Sequence, residues 1–138
     1  MIKRALKNLF SIKGTSFRHA LALLATGLLA TAIGYLTLFP QQPSASGGLL
    51  SDKAYHFVAF AALIFPTAVF YARSLFWVLP AAAMFGGMIE LIQPYVGRSG
   101  ETADFIADIL GVVFGLVIGL LIRAAHRSRA RLKLTEAA

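Results

Sequence analysis

The chain has 138 residues, of which 58% are hydrophobic and 14% charged, and its formal net charge is +7. A soluble domain has about half apolar and a quarter charged residues, and a domain of this size leaves too much surface in water to hide the excess. The mean hydropathy of +0.74 therefore excludes an ordinary soluble globule and predicts an all-α membrane protein. Because the basic residues gather at the two ends, we expect no nucleic-acid partner. The sequence contains no cysteine, which excludes disulfides and thiolate metal sites.

The first predicted element is a basic amphipathic segment, residues 1–19, placed in the cytoplasm. Ile2 and Leu6 fall on one helical face and Lys3 on the other, which is typical of a helix lying on anionic headgroups. A basic flank that merely fixes the orientation of the next segment explains the pattern equally well. A cleaved signal peptide over residues 1–46 is the rival interpretation, but its apolar stretch is longer than a typical signal core.

Long apolar stretches follow, each able to cross a membrane as a helix. About 20 residues at 1.5 Å per residue cover the roughly 30 Å of hydrocarbon, and backbone groups in lipid must be hydrogen-bonded within their own segment. The predicted spans cover residues 20–39, 54–72, 75–95 and 104–122, with loops at 40–53, 73–74 and 96–103. The spans make up one bundle of four transmembrane helices, residues 20–122, and a basic cytoplasmic tail follows at residues 123–138.

The distribution of Lys and Arg predicts the orientation of this bundle. Eleven of the 13 lie before the first span, between the second and third, or after the fourth, whereas Lys53 and Arg98 lie on the opposite side. The positive-inside rule places the eleven in the cytoplasm, so both termini are expected inside. This predicts a multi-pass protein of a bacterial-type inner membrane, with anionic lipids as partners of both basic termini.

Small residues and prolines indicate how the spans pack. Gly111, Gly115 and Gly119 recur every four residues in the fourth span, a period that lets a neighbouring helix backbone approach closely. We interpret them as helix-packing residues rather than ligand contacts. Pro66 and Pro80 lie inside the second and third spans and are expected to kink them.

The acidic residues are the most informative feature of the sequence. Five of the six fall in the predicted outer loops or outer span ends, and Glu136 is the one expected in the cytoplasm. Helical spacing places polar side chains on shared faces, in the pairs Asp52–His56, Glu90–Gln93 and Asp104–Asp108. The basic residues of the same region are Lys53 and Arg98.

Burial in lipid dictates how these side chains should point. An ionisable group inside a span costs at least a few kcal/mol, so His56, Glu90 and Asp108 are expected to face the bundle interior and find partners. Arg98 is the expected partner of one or two carboxylates, because its planar fork can hold a carboxylate through two bonds. Acids still outnumber bases, which predicts a protonated carboxyl group or a shared cation.

Three interpretations of the polar residues stay open. In the first, ion pairs pin the helix ends together and bind no ligand. In the second, an outward-facing pocket binds or transforms a ligand, with Glu90, Asp104 and Asp108 as acid–base candidates and His56 as a proton carrier. In the third and weakest, carboxylate oxygens and His56 hold a hard metal, although no compact ligand motif is present. The sequence has no Ser-His-Asp, phosphate-loop or zinc-helix signature, and we predict neither a metal nor a cofactor.

The same residues resemble the VanZ-like family of small integral membrane proteins. The resemblance rests on Asp52-Lys53-(x2)-His56 with Phe60, Glu90-(x2)-Gln93, Arg98, and Asp104-(x3)-Asp108-(x2)-Gly111-(x3)-Gly115, in this order within residues 50–119. Asp108 departs from the family, since many members are expected to have Asn there. The resemblance implies a compact bundle of membrane helices. Most members have no assigned activity, and the namesake is associated with low-level resistance to the glycopeptide teicoplanin.

The leading hypothesis is an envelope protein with an outward-facing polar pocket that recognises a polar lipid headgroup or a cell-wall-related ligand. The predicted core of the pocket is Glu90, Arg98, Asp104 and Asp108, with Asp52, Lys53, His56 and Gln93 in support. A link to glycopeptide-type antibiotic tolerance is implied by the resemblance alone. The alternatives are a small proton- or ion-coupled transporter, a hydrolase or transferase acting on a lipid-linked substrate, and a purely structural ion-pair cluster. An enzyme is less favoured because no nucleophile with a neighbouring base is evident, and a homo-oligomer is left open.

Overall fold

The computed structural model of the protein describes the backbone of residues 2–39 and 51–136 and the side chains of residues 16–39, 51–132 and 134–135. All regular structure in these residues is helical, and no strand occurs in them. The long helices are α1 (Ile2–Leu38), α2 (Asp52–Phe70), α3 (Leu75–Ile92) and α4 (Thr102–Glu136). Short 3-10 helices cover Ala72–Ser74 and Gln93–Val96, on either side of α3.

Within the described residues, four helical segments are long and apolar enough to cross a membrane. They are Ser16–Leu38, Asp52–Phe70, Ala72–Val96 and Thr102–Leu132. Large apolar side chains such as Leu28, Trp77 and Leu121 are exposed on their outer faces, as expected where lipid is the solvent. The prediction of an all-helical chain with four segments able to cross a membrane is thereby confirmed for the described residues.

The ends of the helices differ from the predicted boundaries. The basic N-terminal segment, for which an interfacial helix and a basic flank were both left open, runs into the first span as one helix, because no proline interrupts α1. At the other end, α4 continues through the predicted tail to Glu136, since the tail consists mainly of Ala, Arg, Leu and Lys, which favour helix. The predicted loop at residues 40–50 and the amphipathic side chains of residues 2–15 lie outside what is described.

The second helix begins two residues earlier than predicted, at Asp52. Ser51 forms its N-cap, where the serine hydroxyl accepts a hydrogen bond from the backbone N–H of Ala54 at 3.3 Å. Such a cap satisfies one of the unpaired N–H groups of the first turn. Both α2 and α3 continue through their internal prolines, Pro66 and Pro80.

The closest pair of helices is α2 with α4, and glycine makes the contact possible. A Cβ atom at Gly111 would overlap the carbonyl oxygen of Phe57, and one at Gly115 would overlap the carbonyl oxygen of Ala61. Contacts between α2 and α4 advance in the same direction along both helices, so the two run parallel. This is the close backbone approach that the four-residue glycine period predicts.

The other helices run opposite to this pair. On α1, the Thr26 hydroxyl donates to the carbonyl of Leu63 at 3.3 Å, while His19 stacks on Tyr71 at 4.1 Å between ring centroids. These contacts advance in opposite directions along the chain, which makes α1 antiparallel to α2. On α3, Gly86 lies beside Phe60. The alternation is the one expected of a chain that crosses a membrane repeatedly.

Two ends of the bundle follow from this arrangement. The polar end comprises the beginnings of α2 and α4 and the end of α3 with its 3-10 extension. The basic end comprises the turn Ala72–Ser74, the end of α2 and the C-terminal half of α4, where Arg123 Nη1 donates to the carbonyl of Val69 at 3.1 Å. Between the two ends lies an apolar core that includes Ile33, Phe60, Ile64, Ala68 and Val112.

Candidate functional site

A histidine–aspartate pair lies at the centre of the polar end. His56 Nδ1 is 2.9 Å from Asp108 Oδ1, and the two residues are 3% and 0% exposed. His56 lies in the second turn of α2 and Asp108 in the second turn of α4. Because Gly111 lets these parallel helices touch one turn further on, the two side chains are brought to the same depth and meet.

Glu90 approaches the same histidine from α3. Its Oε1 atom is 3.9 Å from His56 Nδ1, and its Oε2 atom accepts a hydrogen bond of 2.8 Å from the backbone N–H of Glu101. Gly86 makes room for the arrangement, since a Cβ there would lie 2.8 Å from Asp108 Oδ2. As the sequence predicts, His56, Glu90 and Asp108 all point into the bundle.

Asp104 and Lys53 connect the buried pair with the surface. Asp104, in the first turn of α4, is 1% exposed, and its Oδ1 atom is 3.5 Å from Lys53 Nζ. Lys53 also pairs with Glu101 Oε2 at 2.9 Å, and about half of the lysine side chain is exposed. The lysine therefore bridges one buried and one exposed carboxylate.

The position of Arg98 differs from the prediction. It was expected to hold the buried carboxylates, but its ion-pair partner among the described residues is Asp52, with Nη2 3.4 Å from Oδ1. The reason is the turn that precedes it. Gly97 adopts φ = +79°, a left-handed conformation that ends the 3-10 helix, and Arg98 N then bonds to the carbonyl of Gln93 at 3.0 Å. This turn places the guanidinium at the surface, and Lys53 takes the inner position.

The structure thus sorts the polar residues into two sets. The buried cluster is His56, Gln93, Asp104 and Asp108, together with the partly exposed Glu90, whose Oε1 atom is buried. The rim is Asp52, Lys53, Arg98 and Glu101. Of the predicted core residues, Glu90, Asp104 and Asp108 belong to the buried cluster and Arg98 to the rim, whereas His56, predicted as a support, is central.

Glu101 is a rim residue that the sequence did not assign to the site. It pairs with Lys53 through its side chain and orients Glu90 through its backbone N–H. Gly100 lets this part of the loop lie against α3, because a Cβ there would overlap the carbonyl oxygen of Glu90. The sequence signal that could have assigned Glu101 to the site is its position three residues before Asp104, about one helical turn earlier.

Several buried polar atoms have no hydrogen-bond partner among the described residues. They are His56 Nε2, Glu90 Oε1, Gln93 Oε1, Asp104 Oδ1 and Asp108 Oδ2. Asp104 Oδ1 is within ion-pair distance of Lys53, but the geometry is not that of a hydrogen bond. Buried polar groups are nearly always bonded, and each unpaired one costs about 1–3 kcal/mol. Such a concentration at one end of the bundle indicates a site for another chemical group.

The donor atoms present could hold a cation. Two sets of three residues each offer one ligand atom, with the atoms of a set within 4.8 Å of one another. They are His56, Glu90 and Asp108, and Asp52, His56 and Asp104. A metal was the weakest interpretation of the sequence, because no compact ligand motif is present and the groups come from separate helices. The fold brings these donor atoms together.

The apolar helical segments of the described residues, with charged groups buried at one end, define a multi-pass membrane protein. Comparison with protein-family models, with curated proteins and with solved structures gives no match for this chain.

Proposed function

We propose that the chain is a VanZ-like protein of a bacterial inner membrane that binds the ammonium group of a polar lipid headgroup at its polar end. Both termini lie in the cytoplasm in this proposal, and the polar end faces the outer surface. The residues that resemble the VanZ-like family support it, since Asp52, His56, Glu90, Asp104 and Asp108 all lie at this end.

The incompletely satisfied oxygen of Asp104 is the observation that carries the proposal. An ion-pair cluster that merely holds helices together is expected to hydrogen-bond its own buried atoms. Asp104 Oδ1 is buried and makes no hydrogen bond within the described residues, and its ion-pair partner at 3.5 Å, the half-exposed Lys53, is shared with Glu101. A hydrogen-bond donor with positive charge, entering past the lysine, would satisfy it.

The rim is suited to the rest of such a headgroup. Its ion pairs are Lys53–Glu101, with both side chains about half exposed, and Asp52–Arg98, with an exposed carboxylate and a largely covered guanidinium. Exposed pairs contribute about 0–1 kcal/mol each. A ligand can therefore displace them at little cost. Lys53 and Arg98 offer donors for a phosphate, while Asp52 and Glu101 offer acceptors for an amine, so a zwitterionic group finds both charges.

Exposed aromatic side chains support the placement of the polar end at a membrane surface. Tyr35, Tyr55 and Tyr95 are exposed around this end. Phe76 and Trp77 are exposed at the basic end and contact each other edge to face at 4.9 Å. Tyr and Trp concentrate at the two boundaries between lipid and water. The buried cluster then lies close to the headgroups.

Binding is better supported than transport. Beyond His56 and Asp108, the bundle interior is the apolar core with Phe60, Ile64 and Val112, and this core separates the buried cluster from Arg123 at the basic end. An ion crossing the membrane needs polar partners along its path. In the described interior the buried ionisable groups lie at one end, and the buried hydroxyl further along, that of Thr67, is bonded to the Ile64 carbonyl of its own helix.

Lipid binding by the purified full-length protein tests the proposal. We expect phosphatidylethanolamine to bind at least about tenfold more tightly than phosphatidylglycerol with the same acyl chains, as counted by native mass spectrometry. Asp104→Asn should abolish this preference, whereas Glu136→Gln, which removes an acid from the C-terminal tail, should leave it unchanged. Equal binding of the two lipids by the wild type, or an unchanged preference in Asp104→Asn, would overturn the proposal.

A further inference from the structure

The donor atoms of His56, Glu90 and Asp108 are arranged like the ligands of a metal ion. His56 Nδ1 is 2.9 Å from Asp108 Oδ1 and 3.9 Å from Glu90 Oε1, and one ligand atom from each residue lies within 4.8 Å of the other two. With bonds of about 2.0–2.2 Å, neighbouring ligands of a tetrahedral or octahedral ion are about 3.0–3.5 Å apart. The two separations that involve His56 differ from this range by less than half an ångström.

We propose that His56, Glu90 and Asp108 bind a divalent transition-metal ion such as Zn²⁺ or Mn²⁺. The site shares the polar end with the proposed headgroup but uses different atoms, since the headgroup is assigned to Asp104 and the rim. The proposal depends on the proposed function solely for access from the outer surface.

Unpaired atoms at these residues provide a second and independent observation. Asp108 Oδ2 and Glu90 Oε1 have no hydrogen-bond partner among the described residues, although Asp108 is fully buried. A metal ion held by Glu90 Oε1 and by both carboxylate oxygens of Asp108 would satisfy both atoms.

The charge of the site matches a divalent ion. Ionised Glu90 and Asp108 bring two negative charges next to the imidazole, and a doubly charged ion cancels both. Lys53, the nearest lysine, is already paired with Glu101 and Asp104.

The donor types select the kind of metal. One imidazole nitrogen suits Zn²⁺ and its neighbours in the first transition series, whereas carboxylate oxygens suit Mn²⁺ and also the harder Mg²⁺ and Ca²⁺. Mg²⁺ prefers oxygen ligands and gives up its bound water reluctantly. A site with a histidine should therefore discriminate against it. We therefore expect Zn²⁺ and Mn²⁺ to bind and Mg²⁺ to compete poorly.

Metal analysis of the full-length protein without an affinity tag tests this proposal. The protein is purified in detergent, stripped with a chelator and dialysed against Zn²⁺ or Mn²⁺, and bound metal is measured by mass spectrometry. We expect one ion per chain in the wild type. His56→Gln and Glu90→Gln should each weaken binding at least about tenfold, while His126→Gln, in the C-terminal half of α4, should bind like the wild type.

Several results would overturn the proposal. The first is no saturable binding by the wild type, and the second is unchanged binding in both ligand variants. The third is loss of binding in Asp52→Asn with retention in Glu90→Gln, which would show that the other set of donors binds the metal. Circular dichroism establishes that each variant is folded, and Glu90→Gln serves if His56→Gln does not fold. Lipid binding is measured separately on the metal-free protein, so failure of the metal site and failure of headgroup binding are distinguishable.

Discussion

At the scale of single residues, the polar end depends on the absence of a side chain at Gly86. The glycine hydrogen faces Asp108 Oδ2 and the ring of Phe60, where a Cβ would lie 2.8 Å and 3.3 Å from the nearest atoms. Neither neighbour can move freely, because both are fully buried. The adjacent Gly87 is a natural comparison, since a Cβ there would make an ordinary contact of 3.7 Å with Phe105.

We therefore expect Gly86→Ala to lower the free energy of unfolding by about 1–3 kcal/mol, the usual cost of overpacking. Gly87→Ala should leave stability unchanged or raise it by up to about 1 kcal/mol, because alanine favours helix over glycine. Chemical unfolding in detergent, followed by circular dichroism, measures both. Equal effects of the two substitutions would contradict the close packing of Asp108 against Gly86.

Sequence reasoning identified nearly every residue of the polar end but not the roles within it. The cost of an ionisable group within a membrane span was sufficient to predict that His56, Glu90 and Asp108 face inward. It could not show that the left-handed turn at Gly97 directs Arg98 to the rim, or that the Glu101 N–H binds Glu90. Such contacts depend on loop conformation, which side-chain periodicity does not encode.

At the scale of secondary structure, the parallel contact of α2 and α4 determines where the polar side chains meet. Gly115 touches the backbone of Ala61 so closely that no side chain fits between the helices. Backbone cannot move aside as a flexible side chain can. Gly27 on α1 is the opposite case, because no heavy atom among the described residues lies within 4 Å of its Cβ position, apart from its own helix backbone and chain neighbours.

Gly115→Ala should consequently separate α2 from α4 and lower the thermal unfolding midpoint, at a cost of at least about 1–3 kcal/mol. Gly27→Ala, which adds the same methyl group to open space, should not lower it. The midpoints of both variants in the same detergent are the measurement. If Gly115→Ala were as stable as Gly27→Ala, the α2–α4 contact would be looser than described.

The glycine period predicted a close helix contact but not the partner. Gly111, Gly115 and Gly119 could have faced any neighbouring helix or a second copy of the chain. The partner is α2 because its facing positions include Ala61 and Ala68, which are small. Prediction of the helices themselves was more certain, since hydropathy over about 20 residues is a strong signal, whereas their exact ends depend on caps such as Ser51.

At the scale of the whole molecule, the orientation in the membrane decides which compartment the polar end meets. The natural chain has no cysteine, so single cysteines can be introduced without background. Ser99 lies beside Arg98 at the polar end, and Ser128 lies in the C-terminal half of α4. Both residues are exposed.

We expect Ser99→Cys to react with a membrane-impermeant maleimide in intact spheroplasts, and Ser128→Cys to react after the membrane is permeabilised. The positive-inside rule gives this result, because the basic end should lie in the cytoplasm. Mass addition to the purified protein measures the labelling. The reverse pattern would place the polar end in the cytoplasm and remove the outer-surface ligand from the account.

The central claim is that the buried acids bind a ligand rather than stabilise the fold. A substitution at Asp104 distinguishes these two explanations. A ligand that binds the folded state alone adds about 2.7 kcal/mol to stability at 100 times its dissociation constant. Breaking a buried ion pair that serves the fold costs about 3–5 kcal/mol. The same substitution, Asp104→Asn, therefore has different consequences under the two explanations.

The most direct measurement is the free energy of unfolding of the wild type and Asp104→Asn, with and without phosphatidylethanolamine. Without lipid, we predict that the free energy of unfolding of the variant is at most about 1 kcal/mol lower than that of the wild type, which is the size of a helix N-terminal charge effect. It can also be higher than that of the wild type. Added lipid should stabilise the wild type alone. A variant several kcal/mol less stable without lipid, with no effect of lipid on either protein, would contradict the account.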